Sequence, residues 1–119
     1  MSTLIVMRST PYGNTNAKDA LDIALILATF EQSPSLLYQG AGLQQLLLHS
    51  QNTTPFKHIG NILKAFPIYD IEQIYIDNAS LNEQNISLDR LNDLPVEYKL
   101  LDTNQVTELM HNHQHIMVF

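Results

Sequence analysis

The chain has 119 residues, 45% of them hydrophobic, and a formal net charge of −6 from 12 acidic and 6 basic residues. This length predicts one domain, 1–119, with enough apolar side chains for a packed core, and the acidic balance argues against direct electrostatic binding of nucleic acid. The sequence contains no cysteine, which excludes a disulfide, a thiolate nucleophile, a persulfide carrier and a cysteine-ligated metal site on this chain.

The first predicted element is a strand over Thr3–Arg8. Its continuous apolar run, Leu4-Ile5-Val6-Met7, is typical of a central parallel strand that is covered on both faces. The N-terminus lacks the basic region of a signal peptide, and no apolar run reaches the roughly 18 residues of a membrane span. We therefore expect a cytoplasmic protein.

A turn-rich loop, Ser9 to Asn16, leads into a helix from Ala17 to about Phe30. Apolar residues at helical spacing predict one face packed against a sheet: Ala17, Ala20, Leu21, Ala24, Leu25 and Ala28. Further apolar residues extend this surface beyond one face: Ile23, Ile26, Leu27 and Phe30. Two interpretations stay open, namely tight internal burial and a covering partner subunit.

Strands and helices then alternate in the central part of the chain. The predicted elements are the strand Leu36–Gln39, the glycine turn Gly40–Gly42, the helical segment Leu43–Leu48, the helix Phe56–Phe66, the strand Ile74–Ile76 and a helical start at Ala79–Leu81. The glycine turn is neither a P-loop nor a full dinucleotide-binding motif, so we interpret it as a tight connection between strand and helix.

The last third contains apolar anchors, two strands and a helix. Its predicted features are the anchors Ile86, Leu88 and Leu91, the strand Val96–Leu100, a helix from Asp102 or Thr103 to about Asn112 with Val106, Leu109 and Met110 facing inward, and the strand His115–Phe119. The resulting order, β-α-β-α-α-β-α-β-α-β, predicts an α/β fold with three layers, α/β/α, around a mostly parallel five-stranded sheet.

The carboxyl end of the third strand is the candidate functional site. Ligands of open α/β sheets bind beyond the carboxyl ends of strands, which here are Ile76, Asp77 and Asn78. One hypothesis is a small enzyme with Asp77 as general base, assisted by Asn78 or Tyr75. Another is an anion-binding domain that uses the loop Ser9 to Asn16 and the following helix N-terminus.

No cofactor and no metal are predicted for this chain. His111, His113 and His115 at first suggest a zinc site, because neutral imidazoles are zinc ligands. The three residues are predicted to lie at a helix end, in a turn and at a strand start. They would therefore not converge on one ion.

Two segments resemble the DsrE/DsrF family of sulfur-relay proteins. Pro11-Tyr12-Gly13 follows the first strand and precedes a long apolar helix, as at the start of these proteins. The block Tyr69-Asp70-Ile71-Glu72-Gln73, before the strand Ile74–Ile76, resembles the DsrF-like branch in particular. The closing Ile116-Met117-Val118-Phe119 also fits, so the resemblance covers essentially the whole chain.

The resemblance implies a parallel α/β/α domain in a heterohexamer with TusB-like and TusD-like subunits. It further implies a relay in which sulfur arrives from a TusA-like protein and leaves through a TusE-like protein, toward 2-thiouridine at the tRNA wobble position. The sulfur-carrying cysteine of the TusD-like subunit corresponds to Ile76 or its neighbour Asp77 here. Because neither residue has a thiol, the resemblance implies a noncatalytic subunit.

Overall fold

The computed structural model describes residues 2–10, 16–30, 33–50, 64–92, 94 and 96–119. The regular elements are β1 (Thr3–Met7), α1 (Asn16–Thr29), β2 (Ser35–Tyr38), β3 (Ile74–Asp77), α2 (Asn78–Glu83), β4 (Lys99–Leu101), α3 (Thr103–His111) and β5 (His115–Val118). The 3-10 helical segments are Gly40–Ser50, Phe66–Tyr69 and Leu88–Leu91. Most of the predicted helix Phe56–Phe66 lies outside the described residues.

The five strands form one all-parallel sheet in the order β4-β3-β2-β1-β5. The first four strands follow one another across the sheet, and β5 returns to the free side of β1, where Leu4 is paired with Ile116 and Val6 with Val118. Because parallel crossovers are right-handed, this reversal of direction places α3 on the sheet face opposite α1. The predicted parallel sheet with helices on both sides is confirmed.

Each face of the sheet has its own hydrophobic core. Successive side chains of β1 point to opposite faces, so Ile5 and Met7 belong to one core, and Leu4 and Val6 to the other. The larger core contains buried residues of α1, namely Ala17, Ala20, Leu21 and Ala24. In the smaller core, Val106 of α3 is buried, and the neighbouring Leu109 and Met110 are partly buried. The inward orientation predicted for these three residues is confirmed.

The connection after β2 contains two glycines, Gly40 and Gly42, at positions where a side chain would be unfavourable. Gly40 has a φ of +58°, which glycine adopts without the steric cost of a side chain. A Cβ on Gly42 would lie 1.8 Å from the backbone oxygen of Met7. The glycine turn therefore permits a close approach of two backbones. Both glycines belong to the 3-10 helix Gly40–Ser50, which is longer than the predicted helical segment Leu43–Leu48.

Two other sequence-based predictions were wrong in detail. Strand β4 begins at Lys99 and not at Val96. Val96 lies in an irregular segment before the strand, and its side chain is buried in the larger core. Leu88 is not a core anchor, since its side chain is half exposed, whereas Ile86 and Leu91 are buried as predicted. The short turn Leu88–Leu91 contacts the core at its end only.

Large apolar side chains remain exposed on α1 and β5. Ile26 of α1 is 56% exposed and Phe30, directly after this helix, is 71% exposed, so internal burial does not account for the whole apolar surface of this segment. On the edge strand β5, Ile116, Met117 and Val118 are also exposed. In the described part of the chain, none of the helices has the length and hydropathy needed to cross a membrane.

Candidate functional site

The candidate site lies where β3 ends and α2 begins. Asp77 is the last residue of β3 and occupies the N-cap position of α2, with an extended backbone. Of the three positions predicted from the sequence, Ile76 is fully buried in the larger core and Asn78 is exposed. Asp77 itself is only 8% exposed. The strand end therefore presents a buried carboxylate beside an exposed amide.

The carboxylate of Asp77 is held by two side chains. Its Oδ2 accepts a hydrogen bond of 3.3 Å from Gln39 Nε2 and one of 3.0 Å from Ser80 Oγ. Ser80 Oγ in turn accepts a 2.8 Å hydrogen bond from the backbone N–H of Gly40. These contacts join the end of β2 to the start of α2. They supply the donors that a buried carboxylate requires.

A second set of polar contacts lies beside the ends of β1 and β2. Gln44 accepts a hydrogen bond of 3.0 Å from Thr10 Oγ1 and donates one of 2.9 Å to Gln84 Oε1. The buried Gln45 donates from Nε2 to the backbone oxygen of Ser9 at 2.9 Å. Sequence reasoning missed these residues. The available signal was a Gln-Gln pair within the otherwise apolar segment Leu43–Leu48.

Asp77 and Tyr75, two residues of the proposed enzyme site, both form hydrogen bonds with neighbouring side chains. Oδ2 of Asp77 accepts both of its hydrogen bonds from neighbouring side chains, Gln39 and Ser80, which fix the orientation of the carboxylate. Tyr75, the suggested assisting residue, donates its hydroxyl proton to Gln73 Oε1 at 2.8 Å. Asp77 in this structure therefore connects β2, β3 and α2.

The DsrE/DsrF-like family profile matches residues 1–119. The chain belongs to the DsrE/DsrF-like family. Its structure is similar to the crystal structure of the ychN protein from E. coli, with a TM-score of 0.69, 12% identity and coverage of 100% of this chain and 99% of that one. At this identity, the structural similarity supports the fold alone.

Curated relatives match over nearly the whole chain. A "Protein TusC homolog" of Vibrio vulnificus is 26% identical over 115 residues, which are 96% of this chain and 95% of the relative. A "Protein TusC homolog" of Pseudomonas aeruginosa is 29% identical over 121 residues, with coverages of 98% and 96%. The "Intracellular sulfur oxidation protein DsrF" of Allochromatium vinosum is 27% identical over 125 residues, with coverages of 94% and 91%. These names support membership of a sulfur-relay family.

The block of DsrE/DsrF-like sequence before β3 lies at the opposite end of that strand from Asp77. Within it, Tyr69, Asp70, Glu72 and Gln73 are exposed, whereas Ile71 is buried in the larger core. The other motif, Pro11-Tyr12-Gly13, and most of the proposed anion-binding loop lie outside the described residues.

The three histidines near the C-terminal end of this DsrE/DsrF-like chain do not converge on one ion. Nδ1 of His113 is 2.7 Å from the backbone oxygen of Leu109, and its Nε2 is 2.9 Å from Ser35 Oγ. His111 and His115 are exposed. Among the residues that the structure describes, no group of three histidine, aspartate or glutamate side chains is arranged to hold a metal ion. His113 joins the end of α3 to the start of β2.

Proposed function

We propose that the chain is a noncatalytic, TusC-like subunit of a cytoplasmic sulfur-relay complex. In this proposal the complex transfers persulfide sulfur toward the 2-thiolation of wobble uridine in tRNA. The supporting observation is that a DsrE/DsrF-like chain, matched along its whole length, contains no cysteine. A protein persulfide needs a cysteine sulfur atom, so another subunit must carry the sulfur.

The local chemistry at Ile76, Asp77 and Asn78 supports this division of roles. We infer that these residues occupy the position of the sulfur-carrying cysteine in a TusD-like subunit. A persulfide anion next to the buried carboxylate of Asp77 would face like-charge repulsion. The donors of Gln39 and Ser80 are also already directed at Asp77. The strand end is therefore better suited to stabilising this subunit than to accepting sulfur.

Exposed apolar residues support a role within an assembly. Phe30, directly after α1, and Val118 on β5 are 71% and 59% exposed, although both are large and apolar. Large exposed apolar side chains are available for contact with a partner subunit. We propose TusB-like and TusD-like subunits as direct partners in a heterohexamer, and TusA-like and TusE-like proteins as indirect ones. The net charge of −6 disfavours direct contact with tRNA.

Co-expression with candidate TusB-like and TusD-like proteins tests this proposal. Light scattering should give a complex that contains all three chains, and the proposal fails if this chain stays at its monomer mass of 13.5 kDa under all conditions. Phe30→Glu should prevent the complex from forming. Leu88→Glu, which alters another exposed apolar residue, is the matched control and should leave the complex intact.

A second measurement addresses the noncatalytic role. When the complex is loaded with labelled sulfur from a persulfide donor, mass spectrometry of each subunit should find the added sulfur on a cysteine of the TusD-like chain. Asp77→Ala in the present chain should leave that labelling intact, provided that the complex still forms. Loss of labelling in an intact complex would instead support the alternative, in which Asp77 takes part in the chemistry.

A further inference from the structure

A groove lies at the amino ends of β3 and β4, at the opposite end of the sheet from Asp77. It consists of two adjoining cavities of about 400 and 130 Å³ that share Glu72 and Glu97 as lining residues. We call it the β3–β4 groove. Among the residues that the structure describes, Pro67, Ile71 and Val96 also line the larger cavity. Its volume is within the usual range of ligand pockets, about 300–1,000 Å³.

One wall of the groove is apolar and firmly held. Ile71 and Val96 line the larger cavity and are themselves part of the hydrophobic core. Pro67 lies in a 3-10 turn that is anchored by the buried Phe66, and the N–H of Ile71 donates to the Phe66 oxygen at 3.0 Å. Asp70 ends this turn in the left-handed conformation, with a φ of 59°. The wall is therefore preorganised.

The rim of the groove is acidic. The side chains of Glu72 and Glu97 are exposed, and neither forms an ion pair or a hydrogen bond with a residue in the described part of the chain. Lys99 lines the smaller cavity but forms no ion pair with either carboxylate in that part of the chain. Two carboxylates of like charge beside an apolar wall favour a cationic occupant.

Two exposed side chains with large apolar parts follow Pro67 in the chain. Ile68 is 81% exposed and Tyr69 is 43% exposed, and both directly follow Pro67 in the chain. A small cation would use the carboxylates and leave this apolar surface uncovered. A peptide segment can present a basic side chain and apolar side chains together. The combination therefore favours a protein occupant over a small molecule.

We propose that the β3–β4 groove binds a basic and apolar segment of another protein. An arginine or lysine of that segment lies between Glu72 and Glu97, and a neighbouring apolar side chain packs against Pro67 and Val96. Arginine suits this position well, because its planar guanidinium donates to two carboxylates with little loss of order. The groove is a separate binding surface from the proposed interfaces on α1 and β5, and the inference does not depend on the sulfur-relay function.

A titration of the ¹⁵N-labelled full chain with the peptide acetyl-Leu-Arg-Ile-Arg-Leu-amide tests the inference by NMR. The amide signals of Ile71, Glu72, Val96 and Glu97 should shift and saturate by about 5 mM peptide. The same peptide with citrulline for arginine keeps the shape but loses the charge, and should bind about tenfold more weakly or not at all. Addition of about 0.5 M NaCl should weaken binding of the arginine peptide.

Two double variants with the same change of net charge complete the test. Glu72→Gln with Glu97→Gln should weaken binding at least about tenfold. Glu83→Gln with Glu108→Gln alters exposed glutamates elsewhere and should leave binding unchanged. The inference is overturned if no saturable shift occurs, if the shifts lie outside the groove, or if both double variants weaken binding equally. Equal affinity for acetyl-arginine-amide would also overturn it, by indicating a small cationic ligand.

Discussion

The hydroxyl of Ser80 donates a 3.0 Å hydrogen bond to Oδ2 of Asp77, and both side chains are buried where β3 passes into α2. Because the same hydroxyl accepts from the N–H of Gly40, it connects this strand end to the neighbouring one. A buried carboxylate at the carboxyl end of a strand resembles a catalytic residue in sequence. In the structure, its Oδ2 is held by hydrogen bonds from Gln39 and Ser80.

Ser80→Ala removes two of these contacts together. The substitution leaves Oδ2 of Asp77 with one donor fewer and the Gly40 N–H without its acceptor, so we expect a loss of about 1–3 kcal/mol in the free energy of unfolding. Urea denaturation measures this loss. Asn78→Ala changes an exposed side chain next to Asp77 and should stay within about 0.5 kcal/mol of the parent protein. Equal effects of the two substitutions would contradict a structural role for Ser80.

The close approach at Gly42 predicts an unusually sensitive position. A methyl group on Gly42 would overlap the backbone oxygen of Met7, so Gly42→Ala requires β1 and the 3-10 segment to separate. We expect a loss of stability of about 3 kcal/mol. A Cβ on Gly40 would lie in open space. Gly40→Ala should therefore lower the free energy of unfolding only through the strain of a left-handed backbone, by about 1–2 kcal/mol. Thermal unfolding that ranks Gly40→Ala as the more damaging change would disprove this geometry.

The three histidines should differ in their contribution to stability. His113→Ala removes both ring contacts, to Leu109 O and to Ser35 Oγ, and we expect a loss of about 1–2 kcal/mol. His111→Ala and His115→Ala change exposed side chains and should each alter stability by about 0.5 kcal/mol or less. Chemical denaturation of the three variants side by side provides the measurement. A similar cost for all three would argue against the contacts of His113.

Stability should fall at high pH because of Tyr38. Burial raises the pKa of the Tyr38 hydroxyl above its ordinary value of 10.0. The folded protein therefore keeps this proton at a pH at which the unfolded chain has lost it. The stabilisation is complete below about pH 10 and decreases above it, by up to about 1.4 kcal/mol per pH unit.

Tyr38→Phe isolates this contribution. Between about pH 9 and pH 11, the melting temperature of the variant should decline less steeply than that of the parent protein, because phenylalanine has no proton to lose. Other tyrosines and lysines titrate in the same range, so the difference between the two proteins is the quantity to measure. Identical slopes would show that Tyr38 does not contribute to the decline.

Local sequence patterns were sufficient for the fold class and for several of the elements. The apolar run Leu4–Met7 predicted a strand covered on both faces, and the helical spacing from Ala17 to Ala24 predicted the buried face of α1. Both predictions depend on neighbouring residues alone. The strand Val96–Leu100 was placed too early, since Val96 is buried without being part of the sheet. Burial and hydrogen-bonded pairing are separate properties that alternation in the sequence does not distinguish.

The sequence by itself determined the family membership, the lack of any thiol, and the position of Asp77 at a strand end. Only the tertiary structure decided what surrounds that position. Gln39 lies 38 residues from Asp77 in the chain, and Glu72 and Glu97 are separated by 25 residues, yet each pair shares one site. These proximities depend on the order β4-β3-β2-β1-β5, which places distant segments side by side. The hydrophobic periodicity of the sequence indicates which face of an element is buried. Strand order, in contrast, is set by packing between elements that are far apart in the chain.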